Sequence, residues 1–304
     1  MAPGGIDCHV RDMTATFSAD VKLAGAQERL REFDQWLPVD AEPEATLGQL
    51  VESDSTGPLR LGYGAWRDLL LAVQFHNGRG ELITAGVRTV KNVAGYDLAK
   101  FMVGQRGIFG RLATITTRTY RRPRGAMLAT FPPEAGTVGQ LMPTSLRPQW
   151  AVMTPEALLC GFVGDERTMQ FYRSAIARAE PVSLLTRSLE EDIEQRWTLW
   201  RAEGEIVWRA SVPPVRILDF ARELQGKWVA DAAFGIVRGD CSREEMGAIR
   251  EAASGVLGTV RFYDGATGAP VDLSTTEAER RIMERLKDAF DPDRTLNPLP
   301  WQRS

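Results

Sequence analysis

Glycine is concentrated in one stretch of this chain and sparse elsewhere. Eleven of its 28 glycines lie between Gly48 and Gly110. Glycine adopts positive φ angles and allows close backbone approach, so this stretch is expected to be rich in tight turns and close contacts. After Arg122 the pattern changes to strands alternating with amphipathic helices, and a mixture of charge and proline marks the transition. The sequence therefore predicts two differently built parts with a boundary at residue 122.

Composition excludes several classes of protein. The 304 residues carry 37 Lys+Arg and 40 Asp+Glu, and this near-neutral balance argues against a nucleic-acid binder. No apolar run approaches the ~18–20 residues of a membrane-spanning helix, and the first twenty residues contain no apolar core of a secretory signal. We therefore expect a cytoplasmic protein that is not integral to the membrane.

Cysteine and histidine usage argues against a metal site. Cys8, Cys160 and Cys241 are far apart and form no C-x-x-C pair, which excludes a zinc ribbon or an iron–sulfur cluster held by this chain. The two histidines are too few for a His-rich metal centre. We expect no metal, and the sequence identifies no catalytic residue.

Hydrophobic periodicity predicts α+β architecture. The first part contains a strand at 13–18, a helix from Leu23 to Leu37, a hairpin turning at Asn77-Gly78 and a threonine-rich strand at 112–120. The second part contains predicted strands at 127–131, 149–153, 158–163, 206–211, 229–237 and 259–263. Predicted helices cover 166–178, 189–201, 215–225, 243–256 and 276–290. This order predicts a sheet with helices on one face.

Two glycine-containing segments are candidates for ligand binding. One runs from Thr46 to Gly64 and the other from Gly86 to Gly110. Their backbone N–H groups and small hydroxyls are suited to phosphates or to a polar ring edge. The alternative, which composition alone favours, is a set of tight turns. The usual dinucleotide fingerprint, phosphate-binding P-loop and G-x-S-x-G nucleophile elbow are all absent from the sequence.

Specific motifs within these segments carry a family resemblance. The string Val90-Lys91-Asn92-Val93-Ala94-Gly95-Tyr96-Asp97-Leu98, followed by Gly107-x-x-Gly110, resembles the E subunit family of bacterial glycolate oxidase. Thr46-Leu47-Gly48, Gly57-Pro58-x-Arg60 and Tyr63-Gly64-x-x-Arg67-Asp68 follow that family's order and spacing. The ending Phe290-Asp291-Pro292, with Leu296-Asn297-Pro298, is similar to its C-terminal tail. This family lies in the vanillyl-alcohol-oxidase/PCMH flavoprotein superfamily.

The resemblance implies a fold and a cofactor site. It implies the second subdomain of a PCMH-type FAD-binding domain in residues 1–122, an α+β cap domain with a mixed or antiparallel sheet in 123–275, and a C-terminal helix and tail, 276–304, that returns to the FAD domain. The residues that it implies at the cofactor are Thr46, Leu47, Gly48, Ser55, Gly57, Tyr63, Gly64, Asn92, Gly95, Tyr96, Gly107, Gly110 and Leu112.

The function implied by the resemblance is an FAD-binding subunit of a glycolate (2-hydroxy acid) oxidase or dehydrogenase complex, engaged in flavin-mediated electron transfer. Its implied partners are a second flavoprotein subunit and an iron–sulfur subunit, with possible attachment to the periphery of the inner membrane through them. The alternatives are a cofactor-free structural subunit of such a complex and an independent FAD-dependent oxidoreductase.

The sequence also departs from the family pattern. It begins after the glycine-rich subdomain that holds the FAD diphosphate, and Gly48-Gln49 replaces the usual pair of glycines. Gly107-Ile108-Phe109-Gly110 replaces the usual G-T-L-G, which removes a hydroxyl and adds bulk. Because diphosphate binding depends on charge-assisted hydrogen bonds, we expect this chain to bind FAD weakly or not at all.

Overall fold

The computed structural model describes residues 5–87, 97–135, 138–141, 146–271 and 275–302. The chain divides into two compact units. Unit 1 comprises Met1–Thr56, Tyr63–Arg122 and Ser274–Ser304, and unit 2 comprises Gly57–Gly62 and Pro123–Leu273. In the described part of the chain, no helix has the length and apolarity needed to cross a membrane.

Unit 1 is built on an antiparallel sheet with strand order β1-β2-β6-β4-β5. Its strands are β1 (Ile6–His9), β2 (Thr14–Ser18), β4 (Leu70–His76), β5 (Leu82–Gly86) and β6 (Arg111–Arg118), and β3 (Gln35–Trp36) pairs with β7 (Tyr120–Arg121). Its helices are α1 (Leu23–Arg31), α2 (Leu47–Ser53), α4 (Trp66–Leu69), α5 (Leu98–Phe101) and α11 (Glu277–Phe290), while the short α3 (Arg60–Tyr63) spans the sequence boundary between the units.

The core of unit 1 forms where apolar residues of the strands and helices meet. Phe17, Leu30, Phe75 and Ile115 are fully buried there. The predicted hairpin around Asn77-Gly78 is confirmed as β4 and β5.

The predicted length of the first helix, Leu23 to Leu37, is wrong. Helix α1 ends at Arg31, and Asp34 adopts a left-handed φ of 57°. The Gln27 side chain binds the backbone N–H and carbonyl of Leu37, which holds the chain in its turn away from the helix.

Unit 2 is built on an eight-stranded antiparallel sheet with order β11-β8-β10-β9-β13-β14-β12-β15. Its strands are β8 (Gly125–Phe131), β9 (Trp150–Met153), β10 (Leu158–Gly164), β11 (Ser183–Arg187), β12 (Ile206–Ser211), β13 (Trp228–Asp231), β14 (Ile236–Cys241) and β15 (Thr259–Asp264). Its helices are α6 (Val138–Leu141), α7 (Glu166–Ile176), α8 (Leu189–Trp200), α9 (Ile217–Arg222) and α10 (Met246–Gly255).

Helices cover both faces of this sheet, so the predicted one-sided arrangement is wrong. One face packs against α7, α9 and α10 through Phe162, Trp208 and Phe262. Helix α8 lies on the opposite face, where Trp150 Nε1 donates a hydrogen bond of 3.0 Å to the Asp192 carboxylate. A hydrogen bond of this kind between helix and sheet cannot be predicted from the spacing of hydrophobic residues.

The predicted single strand at 229–237 is also wrong, because a tight turn divides it into β13 and β14. Asp231 Oδ1 accepts hydrogen bonds from the N–H groups of Ala233 and Phe234 at 3.1 and 3.2 Å. Gly235 follows with a φ of +66°, which favours glycine.

Candidate functional site

The N-terminal end of α2 lies at the first cofactor segment implied by the resemblance. A helix start exposes up to four unpaired N–H groups, which makes it an anion site when they remain available. Here Leu47 N–H donates to the Val21 carbonyl at 2.9 Å, and Gly48 N–H donates to the Ala19 carbonyl at 2.8 Å. Gln49 N–H donates to Thr46 Oγ1 at 3.2 Å within a capping box. The first turn of α2 therefore directs its donors into the protein.

The second cofactor segment meets the other end of the same helix. Gly104 N–H donates to the Val51 carbonyl and Arg106 N–H donates to the Glu52 carbonyl, both at 2.9 Å. Leu112 N–H approaches the Glu52 carboxylate at 3.4 Å. Burial is the main influence on Glu52 and raises the pKa of its carboxyl. The two segments therefore lie side by side in unit 1 and join directly through backbone hydrogen bonds.

The loop after Gly104 is tied to itself by one buried glutamine. Gln105 is 4% exposed, and its side chain accepts from Phe109 N–H and donates to the Gly110 carbonyl, both at 2.9 Å. Ile108 N–H donates to the Gln105 carbonyl at 3.0 Å. The backbone of this glycine motif is therefore hydrogen-bonded within the loop.

The C-terminal tail binds the outer side of that loop. Asn297 N–H donates to the Gly107 carbonyl at 3.1 Å, and its side-chain amide donates to the Arg106 carbonyl at 2.7 Å. Lys287 Nζ, almost fully buried, donates to the Ile108 carbonyl at 2.9 Å and pairs with Asp291 at 2.6 Å. The loop and the tail form one hydrogen-bonded structure within unit 1.

The candidate glycines have packing reasons within the chain. A Cβ on Gly48 would lie 2.8 Å from the Ala19 carbonyl oxygen, and one on Gly110 would lie 2.4 Å from the Phe75 ring. Gly64 and Gly107 have φ angles of +87° and +71°. Their Cβ atoms would approach Asp68 and Asn297 at 2.6 Å. At Gly48 and Gly110 neighbouring protein atoms occupy the space of a side chain, while at Gly64 and Gly107 the positive φ itself disfavours one.

The remaining predicted residues occupy several environments. Ser55 accepts a hydrogen bond from Trp66 Nε1 at its carbonyl, 2.9 Å away. The Tyr63 ring contacts Trp36 and Tyr120 edge-on, with centroids 5.5 and 5.0 Å away. Gly57 is buried and accepts from Arg60 N–H. Asn92, Gly95 and Tyr96 lie outside the described residues. The assignment of these thirteen residues to a cofactor stays a prediction.

The described residues of these segments do not fit the diphosphate of FAD. A diphosphate is held by N–H donors or cations directed at its oxygens. The first-turn N–H groups of α2 and those of Gly104, Arg106, Ile108 and Phe109 all have protein acceptors. A diphosphate bound at the described donors would have to displace these hydrogen bonds. In the described part of the chain, no three His, Cys, Asp or Glu side chains cluster in a way that could hold a metal ion.

Unit 2 contains a cleft of about 970 Å³ between α8 and strands β13 and β14. Trp197, Trp228, Lys227 and Arg238 lie along it together with acidic residues. Arg201 at its rim pairs with Glu203 of the same wall. Cations and acids of this lining offset one another, so the cleft presents no clear charge preference.

Sequence reasoning missed two features of the site. The capping box Thr46-x-x-Gln49 starts α2, and its spacing is a readable helix signal that was obscured by the glycines around it. The Lys287–Asp291 pair has the i, i+4 spacing of an ordinary surface ion pair. Its burial depends on where the tail packs, which the sequence alone does not reveal.

Comparison with known proteins places this geometry in context. No family model matches the chain. The glycolate oxidase subunit GlcE of Escherichia coli (strain K12) is 26% identical over 299 residues, which cover 94% of this chain and 81% of GlcE. The mitochondrial D-lactate dehydrogenase [cytochrome] of Arabidopsis thaliana is 28% identical over 121 residues, covering 40% of this chain and 21% of that protein. The chain thus matches most of GlcE but about a fifth of the plant enzyme.

The fold has a solved counterpart. An alkyldihydroxyacetonephosphate synthase structure superposes with a TM-score of 0.69 at 14% identity, covering 95% of this chain and 64% of the synthase chain. This likeness confirms that the predicted α+β fold is shared with the synthase. The chain is therefore similar to the glycolate oxidase subunit GlcE over nearly its whole length, as its glycine motifs indicated.

Proposed function

We propose that this chain is a subunit of a complex that oxidises a small 2-hydroxy acid such as glycolate. The observation that carries the proposal is the alignment with GlcE, which extends through both units instead of stopping at the glycine-rich segments. The plant relative supports the same substrate class, since its name describes oxidation of D-lactate, another 2-hydroxy acid.

Each part of the chain has a proposed place in this complex. We assign residues 1–122, with the C-terminal helix and tail 276–304, to the second subdomain of an FAD-type domain, and residues 123–275 to its cap domain. The proposed partners are a second flavoprotein subunit and an iron–sulfur subunit. We propose a cytoplasmic location, at the inner-membrane surface through these partners, and the three free cysteines are compatible with it.

The internal hydrogen bonding of the candidate cofactor segments favours a second form of this function. A subunit whose described donors are already satisfied contributes structure and assembly to the complex and does not hold FAD tightly by itself. This form gives the chain no reacting group. An FAD-binding form of the same subunit requires the engaged donors of α2 and of the 104–112 loop to be released.

Two measurements test these proposals. The chain is purified alone and together with its partner subunits, and flavin per chain is measured by absorbance near ~450 nm after dialysis. Glycolate-dependent reduction of an electron-accepting dye is measured with and without this chain. We expect no retained flavin on the lone chain and loss of complex activity when the chain is omitted.

The contrary outcomes are distinct. Stoichiometric, dialysis-resistant flavin on the lone chain would establish the FAD-binding form. Dye reduction by the lone chain with a hydroxy acid would instead identify an independent oxidoreductase. Full activity of the complex without this chain would contradict the proposed function.

A further inference from the structure

Three arginines lie side by side on neighbouring strands of unit 2. In the sheet register, Arg209 of β12 pairs directly with Arg238 of β14 on one side and with Arg261 of β15 on the other. Directly opposite residues have Cβ atoms about 4.5–5.5 Å apart and point to the same face. We call the face that they share the arginine face.

The arginine face is the half of its sheet surface that lies beyond α8. Alternation along the strands puts Arg238 on the same side as Val229, Asp231 and Trp150, which is the side of α8. The C-terminal end of α8 reaches Arg238, whose Nη1 donates to the Trp200 carbonyl at 3.2 Å. Arg209 is half-buried and Arg261 is exposed. The row thus runs from the end of the helix to the open edge of the sheet.

The charges of this row are only partly compensated, because Arg209 is attracted to Asp231 on the same face. Among the described residues, none of these three guanidinium groups forms an ion pair with a carboxylate within 4 Å. Burial, with the adjacent Arg209, lowers the pKa of Arg238 to about 10. Like charges directly opposite each other destabilise a sheet, so the row weakens the free subunit.

Nearby acidic groups do not remove this repulsion. Asp231 lies on the same side and is attracted to Arg209, although burial, the larger influence, raises its pKa to about 6. Its carboxylate also accepts the N–H groups of its turn, so it offsets only one of the three arginines. Asp240 shares the face but is in register with Val207, one step away from Arg209 along the strand. The face therefore has an excess of positive charge.

The surroundings of the row favour a protein partner over a small ligand. Tyr263 follows Arg261 on the same face, and Arg60 stacks over the exposed Phe234 ring at 4.4 Å near Asp231. Arginine, tyrosine and phenylalanine are enriched in the centres of protein interfaces. Small-molecule sites are concave. Arg238 lines the cleft beside α8, but Arg209 and Arg261 lie outside that lining, nearer the edge of the sheet.

We propose that the arginine face docks an acidic surface patch of another subunit of the complex. This inference rests on the proposed function, which supplies the partner subunits. Carboxylates of the partner would bind the guanidinium groups in forked, two-hydrogen-bond pairs and remove the repulsion within the row. The row would then be retained at a cost in stability because it orients the partner.

The test compares binding and stability in the same variants. The full chain is immobilised, and its dissociation constant for the purified remaining subunits of the complex is measured at two salt concentrations. Arg209→Met and Arg261→Glu are the test variants. Arg178→Glu, at an exposed arginine in the 3-10 helix Ala177–Ala179, is the charge-matched control. Melting temperature is measured for every variant.

Binding and stability are expected to move in opposite directions. Arg209→Met should weaken partner binding at least tenfold while its melting temperature stays level or rises, because a repelling charge is removed. Arg261→Glu should weaken binding similarly. Because Arg261 is exposed, the melting temperature of this variant should stay close to that of the wild-type chain. Arg178→Glu should bind as the wild-type chain does. Higher salt should weaken wild-type binding more than binding of Arg209→Met.

Other outcomes overturn the proposal in separable ways. If the wild-type chain binds and all variants bind equally well, the arginine face is not the interface and the proposed function stands. If the wild-type chain does not bind, the proposed function fails together with the inference. If millimolar inorganic phosphate stabilises the wild-type chain but not Arg209→Met, and the partner binds both equally, the row holds a small anion instead.

Discussion

The glycine-dense loops of unit 1 and the arginine face of unit 2 differ in how their polar groups are satisfied. In unit 1, the donors of α2 and of the 104–112 loop are paired with acceptors of the same unit. In unit 2, Arg209 and its two neighbours form no ion pair within 4 Å among the described residues, and Asp231 offsets their charge only in part. The hydrogen-bond donors of the glycine-rich motif are therefore used within unit 1. The arginines of unit 2, which belong to no sequence motif, can still bind a partner.

This contrast teaches how a family motif should be interpreted in a divergent chain. A glycine can persist because a neighbouring atom leaves no room for a side chain, independently of a ligand. Gly48 beside the Ala19 carbonyl and Gly110 beside the Phe75 ring are such cases. The excess positive charge of the arginine face, in contrast, does not improve packing within the chain, and an acidic partner would neutralise it.

The largest expected effect comes from removing Lys287, the buried cation that links the C-terminal tail to the 104–112 loop. Lys287→Met should destabilise the protein by about 3–5 kcal/mol, because Asp291 would be left buried without its partner. Urea unfolding measures the loss. Lys100→Met is the control, since its ion pair with Asp97 is solvent-exposed and worth about 0–1 kcal/mol. A loss below about 1 kcal/mol would show that the tail is not held by this pair.

Acid should loosen the same anchor. Burial alone would raise the pKa of Asp291, but the hydrogen bond from Lys287 and those from Leu296 and Thr295 N–H outweigh it and lower the pKa to about 2. A lowered folded-state pKa gives stability that is present above the unfolded pKa of about 3.9 and is lost as pH falls toward 2. We expect a loss of about 2 kcal/mol between pH 5 and pH 2 from this group.

The control for this pH effect is close by in sequence. Unfolding free energy measured against pH should show a shallower acid slope for Asp291→Asn than for the wild-type chain. Asp293→Asn, at an exposed position, should retain the wild-type slope. Equal slopes for all three proteins would remove Asp291 from the acid response.

A matched pair of glycine substitutions separates packing from cofactor binding. Gly48→Ala should destabilise the cofactor-free chain by about 1–2 kcal/mol, because its methyl group would press on the Ala19 carbonyl oxygen. Gly25→Ala, in the first turn of α1 with open space at its Cβ, should stabilise by about 0.5 kcal/mol. Thermal unfolding measures both. If Gly48→Ala left the stability unchanged, packing would not explain this glycine, and contact with a ligand would be the better explanation.

Local signals in the sequence predicted the elements that depend on them. The turn at Asn77-Gly78 and the strand alternation of β12 and β15 follow from residue type and period alone. Even the missed turn after β13 has a local signal, since Asp231 and Gly235 bracket it. The error was to give a β-rich apolar run more weight than its turn residues.

Long-range features could not be derived in the same way. That Asp192 binds Trp150 across 42 positions, or that Asn297 reaches Arg106, depends on the packed fold. The arginine face depends on register, because Arg209, Arg238 and Arg261 are unremarkable in sequence and meet only when three strands align. The resemblance supplied the fold, but the satisfaction of the donors had to be seen in the structure.

The smallest expected effect concerns the repulsion between arginines on the arginine face of unit 2. Salt screens repulsion between partly exposed charges. Added salt should therefore stabilise the wild-type chain, and it should stabilise Arg209→Met less because that variant has one repelling charge fewer. Between low and high sodium chloride, the stability advantage of Arg209→Met over the wild-type chain should shrink by about 0.5 kcal/mol. Arg178→Met should show no such change, because its side chain stands away from the row. If salt moves Arg209→Met and the wild-type chain equally, the repulsion is already neutralised, and the two units do not differ in the way proposed.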